Sequence, residues 1–352
     1  MREKNKKTVS IIGHYQSGTN QLSGQIVKTE IITDALLSFF TNQEVVKIDT
    51  QGNKYLCLLK SPFQALFAMK KSRNVVILPA QNGLRVVAPL LIFLKKFFKN
   101  RRLHYVVIGG WLPEFLTDKP KLAKRLKKFD YIYVETNTMK KALEEQGFSN
   151  IVIMPNCKNL KILDRSELVY PESEPLKLCT FSRVMKEKGI EDAVNAVKEV
   201  NEKIGRTVYS LDIYGQVDQN QIQWFNELKN GFPDYIKYAG LVDYDKSVDV
   251  LKNYFALMFP THFYTEGIPG TIIDAYSAGV PVVSAKWESF SDIVDDGITG
   301  FGYDFDNYNA FLEKLEYISQ NIEKWNSLKF NCIKKAKEYQ PDEAIRILSS
   351  RC

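Results

Sequence analysis

Short apolar runs alternate with amphipathic segments along the first half of the chain. The runs have the length of strands and are rich in Val, Ile and Tyr. They lie at residues 9–12, 45–49, 75–78, 105–108, 131–135 and 151–154. Helical periodicity between most of them predicts a doubly wound parallel sheet, because strands that alternate with helices usually pair in parallel.

The second half of the chain shows the same alternation. Its apolar runs lie at 176–180, 210–214, 235–239, 256–259, 280–285 and 300–303. A polar stretch at 159–175 between the two halves is typical of a linker. A chain of 352 residues with 45% hydrophobic content can form two domains, each with its own core. The pattern therefore predicts an α/β protein with two parallel sheets.

A glycine-rich turn precedes a predicted helix in the second half. Pro269 suits the first position of a helix and Gly279 suits its end, so residues 271–278 are predicted to be helical. Backbone N–H groups around Gly270 and Thr271 then have no partner within the helix. Anions bind readily at such a helix start, so a polar, phosphorylated ligand is expected.

Two carboxylates accompany this turn. Glu266 lies in the loop before the helix and Asp274 about two turns away, so they suit different parts of one elongated ligand rather than an acid/base pair. The pair resembles the carboxylate-x7-carboxylate signature of retaining glycosyltransferases of family four, the glycosyl transferases group 1, which include bacterial surface-polysaccharide enzymes. Further blocks at 259–260, 278–284 and 293–301 follow the family's order.

The resemblance implies the GT-B fold, in which two Rossmann-like doubly wound domains face a central cleft. Residues 1–157 would form the acceptor-side domain, 158–175 the linker and 176–338 the nucleotide-sugar domain. Residues 339–352 would form a C-terminal helix that crosses back to the first domain.

A basic pair precedes an amphipathic segment at 191–200. Arg183 and Lys188 resemble the family's diphosphate clamp, which implies that they hold the donor's phosphates and stabilise the leaving nucleoside diphosphate. The alternative is two solvated cations on a surface turn.

The resemblance also gives the carboxylate motif roles on the donor. Glu266 would lie against the donor sugar near its reactive carbon, and Asp274 would accept hydrogen bonds from the ribose hydroxyls. The family usually has glutamate at the second position, and the alternative for Asp274 is a polar residue facing solvent. The other residues assigned to the donor here are Gly267, Pro269, Gly270 and Thr271.

A loop of small residues at 14–25 follows the first apolar run, at the edge where such sheets bind ligands. It resembles the family's first-domain glycine loop, and Gly18 and Thr19 are its candidates for donor contact. Its spacing is not G-x-G-x-x-G, which weakens a dehydrogenase interpretation. The alternative is a tight polar turn without a ligand, and His14 is interpreted as an ordinary residue at a strand end.

Many family members carry a histidine at the end of a first-domain strand, near the donor sugar. This chain has Gly109, Gly110 and Trp111 there, and His104 lies at the other end of the predicted strand. Gly109 or Gly110 would then offer backbone groups to the sugar. Trp111 is either a stacking surface for the acceptor or a core residue, and Glu114 either an acceptor-side or an ordinary surface residue.

Charge is divided unevenly between the halves. Residues 1–156 hold 25 Lys+Arg against 11 Asp+Glu and the remainder holds 23 against 30, which gives +14 and −7 and sums to the net +7. The first half therefore suits an anionic partner, either a nucleic acid or a membrane surface. Membrane contact is favoured because no nucleic-acid motif accompanies the basic clusters.

One cluster joins an apolar run at 86–94 to aromatic residues interleaved with cations. It is too short to span a bilayer but suits a helix lying in the membrane interface. The residues assigned to an anionic membrane surface are Phe93, Lys95, Lys96, Phe97, Phe98, Lys99, Arg101 and Arg102. The alternative is that the apolar residues face the core while the cations are solvated. A second basic cluster at 119–128 is predicted to be the charged face of another helix.

Two D-x-D sequences, Asp243 with Asp245 and Asp304 with Asp306, have a spacing that holds divalent ions in other glycosyltransferases. Short acidic pairs arise easily by chance and the basic pair already supplies positive charge, so neither a metal nor a cofactor is predicted.

Five scattered cysteines without a C-x-x-C pair favour neither a disulfide framework nor a zinc site. With no signal sequence recognised, a cytosolic location is expected.

Together these observations predict a retaining, metal-independent glycosyltransferase. It would move a sugar from a nucleotide-sugar donor, UDP-linked, to a lipid-linked or glycan acceptor in cell-surface polysaccharide synthesis, at the inner face of the membrane. The alternatives are a non-catalytic nucleotide-binding or membrane-associated protein of this fold, a nucleic-acid binder and, among enzymes, a sugar-nucleotide epimerase or a phosphorylase.

Overall fold

The computed structural model of the protein describes residues 7–15, 24–40 and 44–352. The chain divides into two compact units. Unit 1 comprises Met1–Asn159 and Tyr339–Cys352, and unit 2 comprises Leu160–Glu338.

Unit 1 is built on a six-stranded sheet. Its strands are β1 (Lys7–Gly13), β2 (Val45–Asp49), β3 (Ser72–Ile77), β4 (Arg102–Val106), β5 (Tyr131–Val134) and β6 (Ile151–Ile153). They pair in parallel in the order β2-β1-β3-β4-β5-β6. Both faces are covered, and this explains why β3 is almost wholly buried.

Helices cover the two faces of this sheet. They are α1 (Gly24–Phe39), α2 (Lys54–Lys71), α3 (Gln81–Lys95), α4 (Leu112–Thr117), α5 (Pro120–Leu126) and α6 (Asn137–Glu145). Helices α2 and α3 pack Met69 and Leu91 in the same core as Val75. Helix α1 packs Ile32 in a second core with Val76, on the opposite face because successive strand residues point to opposite sides.

Unit 2 has a second parallel sheet. Its strands are β7 (Leu176–Phe181), β8 (Tyr209–Tyr214), β9 (Ile236–Gly240), β10 (Ala256–Phe259), β11 (Val282–Lys286) and β12 (Gly300–Asp304). Their order is β12-β11-β10-β7-β8-β9, so β7 and β10 are neighbours at the centre.

The helices of unit 2 follow from the same hydrophobic periodicity. They are α7 (Ile190–Ile204), α8 (Ile222–Asn230), α9 (Ser247–Leu251), α10 (Gly270–Ser277), α11 (Tyr308–Gln320), α12 (Ile322–Ser327) and α13 (Lys329–Ala336). In α7, Ile190, Val194 and Val197 recur on one buried face. The helix ends at Gly205, whose φ of 77° is the left-handed conformation that glycine adopts readily.

The final helix, α14 (Pro341–Ser349), belongs to unit 1. It packs on α1, where Leu348 joins the core that contains Ile32 and Leu36. The side-chain amide of Asn74 in β3 donates to the carbonyl oxygen of Cys352 at 2.9 Å, which fixes the end of the chain to the same sheet.

The predicted fold class, two doubly wound parallel sheets, is confirmed. Strands β2 and β10 have the predicted bounds, whereas β4 spans Arg102–Val106 instead of the expected 105–108. It begins earlier because Leu103 and His104 are also buried in the sheet. The polar stretch predicted as a linker is partly packed, with Leu163 and Leu168 buried in unit 2. None of the helices within the described ranges has the length and hydropathy needed to cross a bilayer.

Candidate functional site

The candidate site in unit 2 lies at the carboxyl ends of the central strands β7 and β10. The loop after β7 carries Arg183 and Lys188, and the loop after β10 carries Glu266. Because carboxyl ends of neighbouring parallel strands meet at one edge of a sheet, residues 78 positions apart are brought together there.

Lys188 and Glu266 form an ion pair through Lys188 Nζ and Glu266 Oε1. Only 18% and 16% of the two side chains are exposed, so solvent screens the pair weakly. Thr261 Oγ1 donates to the same carboxylate oxygen at 3.2 Å. The lysine nitrogen also lies 5.0 and 5.4 Å from the ring centroids of Phe263 and Phe259. Lys188 is therefore not the solvated surface cation of the alternative interpretation.

Backbone contacts hold the two loops together. The N–H of His262 donates to the carbonyl oxygen of Glu187 at 2.9 Å. Gly189 has a φ of 68°, and a Cβ at this position would lie 1.8 Å from the carbonyl oxygen of Pro260. Only glycine allows this approach, which sets the position of the preceding lysine.

Arg183 differs from Lys188 in its surroundings. Its side chain is half exposed, and its guanidinium lies 3.7 Å from Asp218 Oδ2. The contact is loose and solvated, so the side chain is free to reorient towards an anion. The structure thus pairs Lys188 with Glu266 and leaves Arg183 at the surface of the same loop.

The glycine-rich turn leads directly into α10. The helix runs from Gly270 to Ser277, one residue earlier than predicted, and Pro269 occupies the N-cap position rather than the first helical position. No side chain caps this helix start, and Thr271 Oγ1 is buried without a hydrogen-bond partner among the described residues. Such a helix start suits an anion. Gly267 lies buried in the turn.

Asp274 is buried inside unit 2. Only 2% of the residue is exposed, and the hydroxyl of Ser247 donates to its Oδ1 at 2.9 Å. The interpretation of Asp274 as a polar residue facing solvent is therefore wrong. Its contact with a ribose remains a prediction. Ser247 was missed because its position along the chain carries no local signal of this partnership.

Sequence reasoning also missed the cluster around His262. Nε2 of its ring lies 2.9 Å from Asp192 Oδ2, and Nδ1 lies 2.7 Å from Asp306 Oδ1. Burial lowers the pKa of this histidine, but the hydrogen bond to Asp306 and the charge of Asp192 outweigh burial, so its pKa is raised above 6.5. The cluster ties the loop after β10 to α7 and to the end of β12.

The D-x-D sequences have different surroundings. Asp306 belongs to the His262 cluster, and Asp243 precedes a short 3-10 helix that includes Asp245. Across the described ranges, no group of three or more His, Cys, Asp or Glu residues is arranged to hold a metal ion.

The first-unit candidates lie around the carboxyl end of β4. Gly109 has a φ of 78°, and its N–H donates to Glu135 Oε1 at 3.2 Å, so this group is already engaged within the protein. Trp111 Nε1 donates to the carbonyl oxygen of Ile108 at 2.8 Å. Gly110 is buried and Glu114 is exposed on α4. Gly18 and Thr19 lie outside the described residues.

A cavity of about 630 Å³ lies beside Trp111 at this edge of the sheet. Its wall combines apolar and polar side chains from β1, α2 and α3, a composition typical of small-molecule sites. Besides Trp111, its lining includes His14, Cys57, Leu58, Ser61, Gln81 and Val86. Trp111 is therefore both partly packed on the core and open to a cavity.

His104 has a structural role within the sheet. It is fully buried, with Nδ1 2.9 Å from the Tyr133 hydroxyl and Nε2 3.2 Å from Asn74 Oδ1. Burial lowers its pKa to about 4, so the ring stays neutral.

The basic, aromatic segment assigned to a membrane is only partly available at the surface. Arg101 is buried and donates through Nε to the carbonyl oxygen of Met69 at 3.0 Å. Lys95 forms an ion pair with Asp130 at 2.5 Å, and Phe98 packs against the core. The assigned residues that are exposed are Phe93, Lys96, Phe97, Lys99 and Arg102.

Comparison with known proteins agrees with this architecture. Residues 175–321 match the family described as glycosyl transferases group 1. The chain is 24% identical to an uncharacterised glycosyltransferase, MJ1069, of Methanocaldococcus jannaschii, over 59% of this chain and 57% of that protein. It is 22% identical to the amylovoran biosynthesis glycosyltransferase AmsK of Erwinia amylovora, over 45% of this chain and 38% of the relative. The chain thus spans little more than half of the first relative.

The solved structure of Anabaena Alr3699/HepE, in complex with UDP and glucose, has the same fold. The TM-score is 0.73 at 14% identity, and the match covers 98% of this chain and 99% of the other. The chain therefore has the GT-B fold. The match of segment 175–321 confirms the resemblance to the glycosyl transferases group 1 that was inferred from the sequence.

Proposed function

We propose that the protein is a retaining glycosyltransferase that takes a sugar from a nucleotide-sugar donor, UDP-linked, and transfers it to a lipid-linked or glycan acceptor in surface-polysaccharide synthesis. The observation that carries the proposal is the partly buried ion pair of Lys188 and Glu266, located within the family segment. Support comes from the solved relative that holds UDP and glucose and from the relative named for amylovoran biosynthesis.

Lys188 is the residue that responds to the donor in this proposal. Before the donor binds, Glu266 balances its charge. A diphosphate placed at the start of α10 offers stronger negative charge, and Lys188 and Arg183 then contact its oxygens. Charge-assisted contacts of this kind contribute about 1.5–3 kcal/mol each and stabilise the leaving diphosphate.

The proposed reaction exchanges one bond at the anomeric carbon for another. The bond from that carbon to the diphosphate oxygen breaks, and the bond to the acceptor oxygen forms on the same face. The leaving diphosphate takes the proton of the acceptor hydroxyl. Glu266, held by Thr261, lies against the sugar and orients it, and Asp274 binds the ribose.

Metal-independent transfer is part of the proposal, because Lys188 and Arg183 supply the positive charge at the diphosphate. On the acceptor side, we assign the cavity beside Trp111 to the acceptor saccharide. Its mixture of apolar and polar walls suits a sugar ring, which has both kinds of surface.

The test is thermal unfolding of the purified protein with UDP, GDP, ADP or CMP. A ligand at about 100 times its Kd stabilises a protein by about 2.7 kcal/mol. We expect UDP to raise Tm, Lys188→Ala to abolish the shift, and Lys186→Ala to keep it. Lys186 is the matched control because it lies in the same 3-10 helix but contacts the Trp224 ring instead of Glu266.

Transfer from UDP-sugars is then measured after chelation. Retained activity with an unchanged anomeric configuration supports the proposal. Strict dependence on manganese or magnesium contradicts the metal-independent part, an epimerised donor with no transfer favours the epimerase, and an equal loss of the Tm shift in both lysine variants removes the role of Lys188.

A further inference from the structure

Helix α2 exposes an unusual amount of apolar surface. Its inner side buries Ala65, Ala68 and Met69 against the sheet. The large apolar residues on its other side are exposed by 46–75% of their surface. They are Tyr55, Leu56, Leu59, Phe63 and Phe67, which we call the α2 outer face. A contiguous apolar patch of this kind indicates a surface that is covered in the functional state.

The charge around this face identifies its partner. Residues 50–113, which include α2 and α3, contain eleven Lys or Arg and no Asp or Glu. Helix α3 lies beside α2 on the same side of the sheet, and Phe93 and Phe97 are exposed at its end. Apolar side chains surrounded by cations match an interface of acyl chains and anionic headgroups.

Lysines at the edge of this surface have a suitable arrangement. Lys71 Nζ lies 5.8 Å from the Phe67 ring centroid, and Lys96 Nζ lies 6.0 Å from that of Phe93. Each ammonium group lies beside an aromatic ring, and both lysines are exposed to solvent, so they can reach anionic headgroups at a membrane surface. A second copy of the chain would bring two strongly basic surfaces together, so the charge favours anionic lipid over self-association.

We propose that the α2 outer face lies in the interface of an anionic membrane, with its apolar side chains among the acyl chains. The inner side of α2 contributes Cys57, Leu58 and Ser61 to the wall of the cavity beside Trp111. Membrane binding by α2 thus places this cavity at the bilayer surface, where a lipid-linked acceptor is presented. This last consequence rests on the proposed function, whereas binding itself does not.

The experiment is flotation of the full chain with vesicles of phosphatidylcholine, alone or mixed with phosphatidylglycerol. The test variant is Leu59→Ser with Phe63→Ser, which removes two apolar side chains that are 69% and 75% exposed. The matched control is Leu241→Ser in unit 2, because Leu241 is 70% exposed but lies outside the basic surface. Solution molar mass and the Tm shift with UDP are measured for each protein.

We expect the wild type and the control to float with the anionic vesicles and the double variant to bind them roughly tenfold more weakly. The tryptophan fluorescence emission of the Phe63→Trp variant should shift to shorter wavelength when these vesicles are added. The Tm shift with UDP should be equal in all of these proteins, so its absence throughout contradicts the nucleotide site and leaves membrane binding standing.

Any one of three results would overturn the inference. The first is that the wild type floats with neither kind of vesicle, and the second is that the double variant floats as well as the wild type. The third is that the wild type is a dimer in solution whereas the double variant is a monomer. The last result assigns the α2 outer face to a second copy.

Discussion

At the residue scale, the position of Lys188 depends on Gly189. This glycine combines a φ of 68° with an approach in which a Cβ would lie 1.8 Å from the Pro260 carbonyl oxygen. A side chain here must therefore separate the two loops that carry Lys188 and Glu266. Gly205 also has a positive φ, 77°, but a Cβ there meets nothing within 4 Å.

Replacing Gly189 by alanine should destabilise unit 2 by roughly 3 kcal/mol or more and remove the Tm shift with UDP, because backbone strain and steric overlap add. Gly205→Ala should cost only about 1–2 kcal/mol, the strain alone, and keep the shift. Urea unfolding measures the free energy of unfolding of both variants. Equal destabilisation by the two variants would show that the contact with Pro260 does not fix the loops.

At the element scale, His262 connects the loop after β10 to α7 and to the end of β12. Asp192 and Asp306 face its two ring nitrogens, so both nitrogens are hydrogen-bonded when the ring is protonated. The raised pKa means that the folded protein binds this proton more tightly than the unfolded chain does. Its stabilising contribution is thus fully present below the unfolded pKa and is lost as the pH rises through the folded one.

Comparing the wild type with His262→Asn should reveal this pH dependence. The difference in free energy of unfolding should be largest below pH 6.5 and should decline above it. This difference should stay below about 1 kcal/mol, because the His262 ring is partly exposed and solvent screens its interactions with Asp192 and Asp306. Urea unfolding across pH measures the difference, and Asp306→Asn should reduce its slope. A difference that grows with pH would contradict the assignment.

The elements themselves were largely predictable from the sequence. Strand β10 and helix α7 follow local patterns of apolar residues, and Gly205 marks where α7 ends. The start of β4 was less predictable because its first residue, Arg102, is exposed and polar. Asp274 was expected at a ligand, which stays a prediction. In the structure it accepts a hydrogen bond from Ser247, and this contact depends on how α9 packs against α10.

At the scale of the whole molecule, unit 1 is formed by two separate segments of the chain. Helix α14 packs on α1, and Leu348 is fully buried in the core they share. The second unit is thus inserted in sequence between the two segments of the first.

Leu348→Ala should destabilise unit 1 by about 2–5 kcal/mol, because it leaves a cavity in this core. Arg346→Ala on the exposed side of α14 should change the stability by less than about 1 kcal/mol, since only its surface pair with Glu343 is lost. Hydrogen exchange of peptides from β1 and β3 measures the effect. Equal protection in the two variants would show that α14 is not needed for the stability of this sheet.

The sequence by itself determined the alternation of strands and helices, the order of the family's motifs and the helix start beside Gly270, because these depend on residues close together in the chain. Tertiary structure alone decided the pairing of Lys188 with Glu266, since β7 and β10 become neighbours only when the sheet forms. It also decided which apolar residues of α2 face solvent. That helix is apolar on both sides, and only packing on the sheet determines which side is buried.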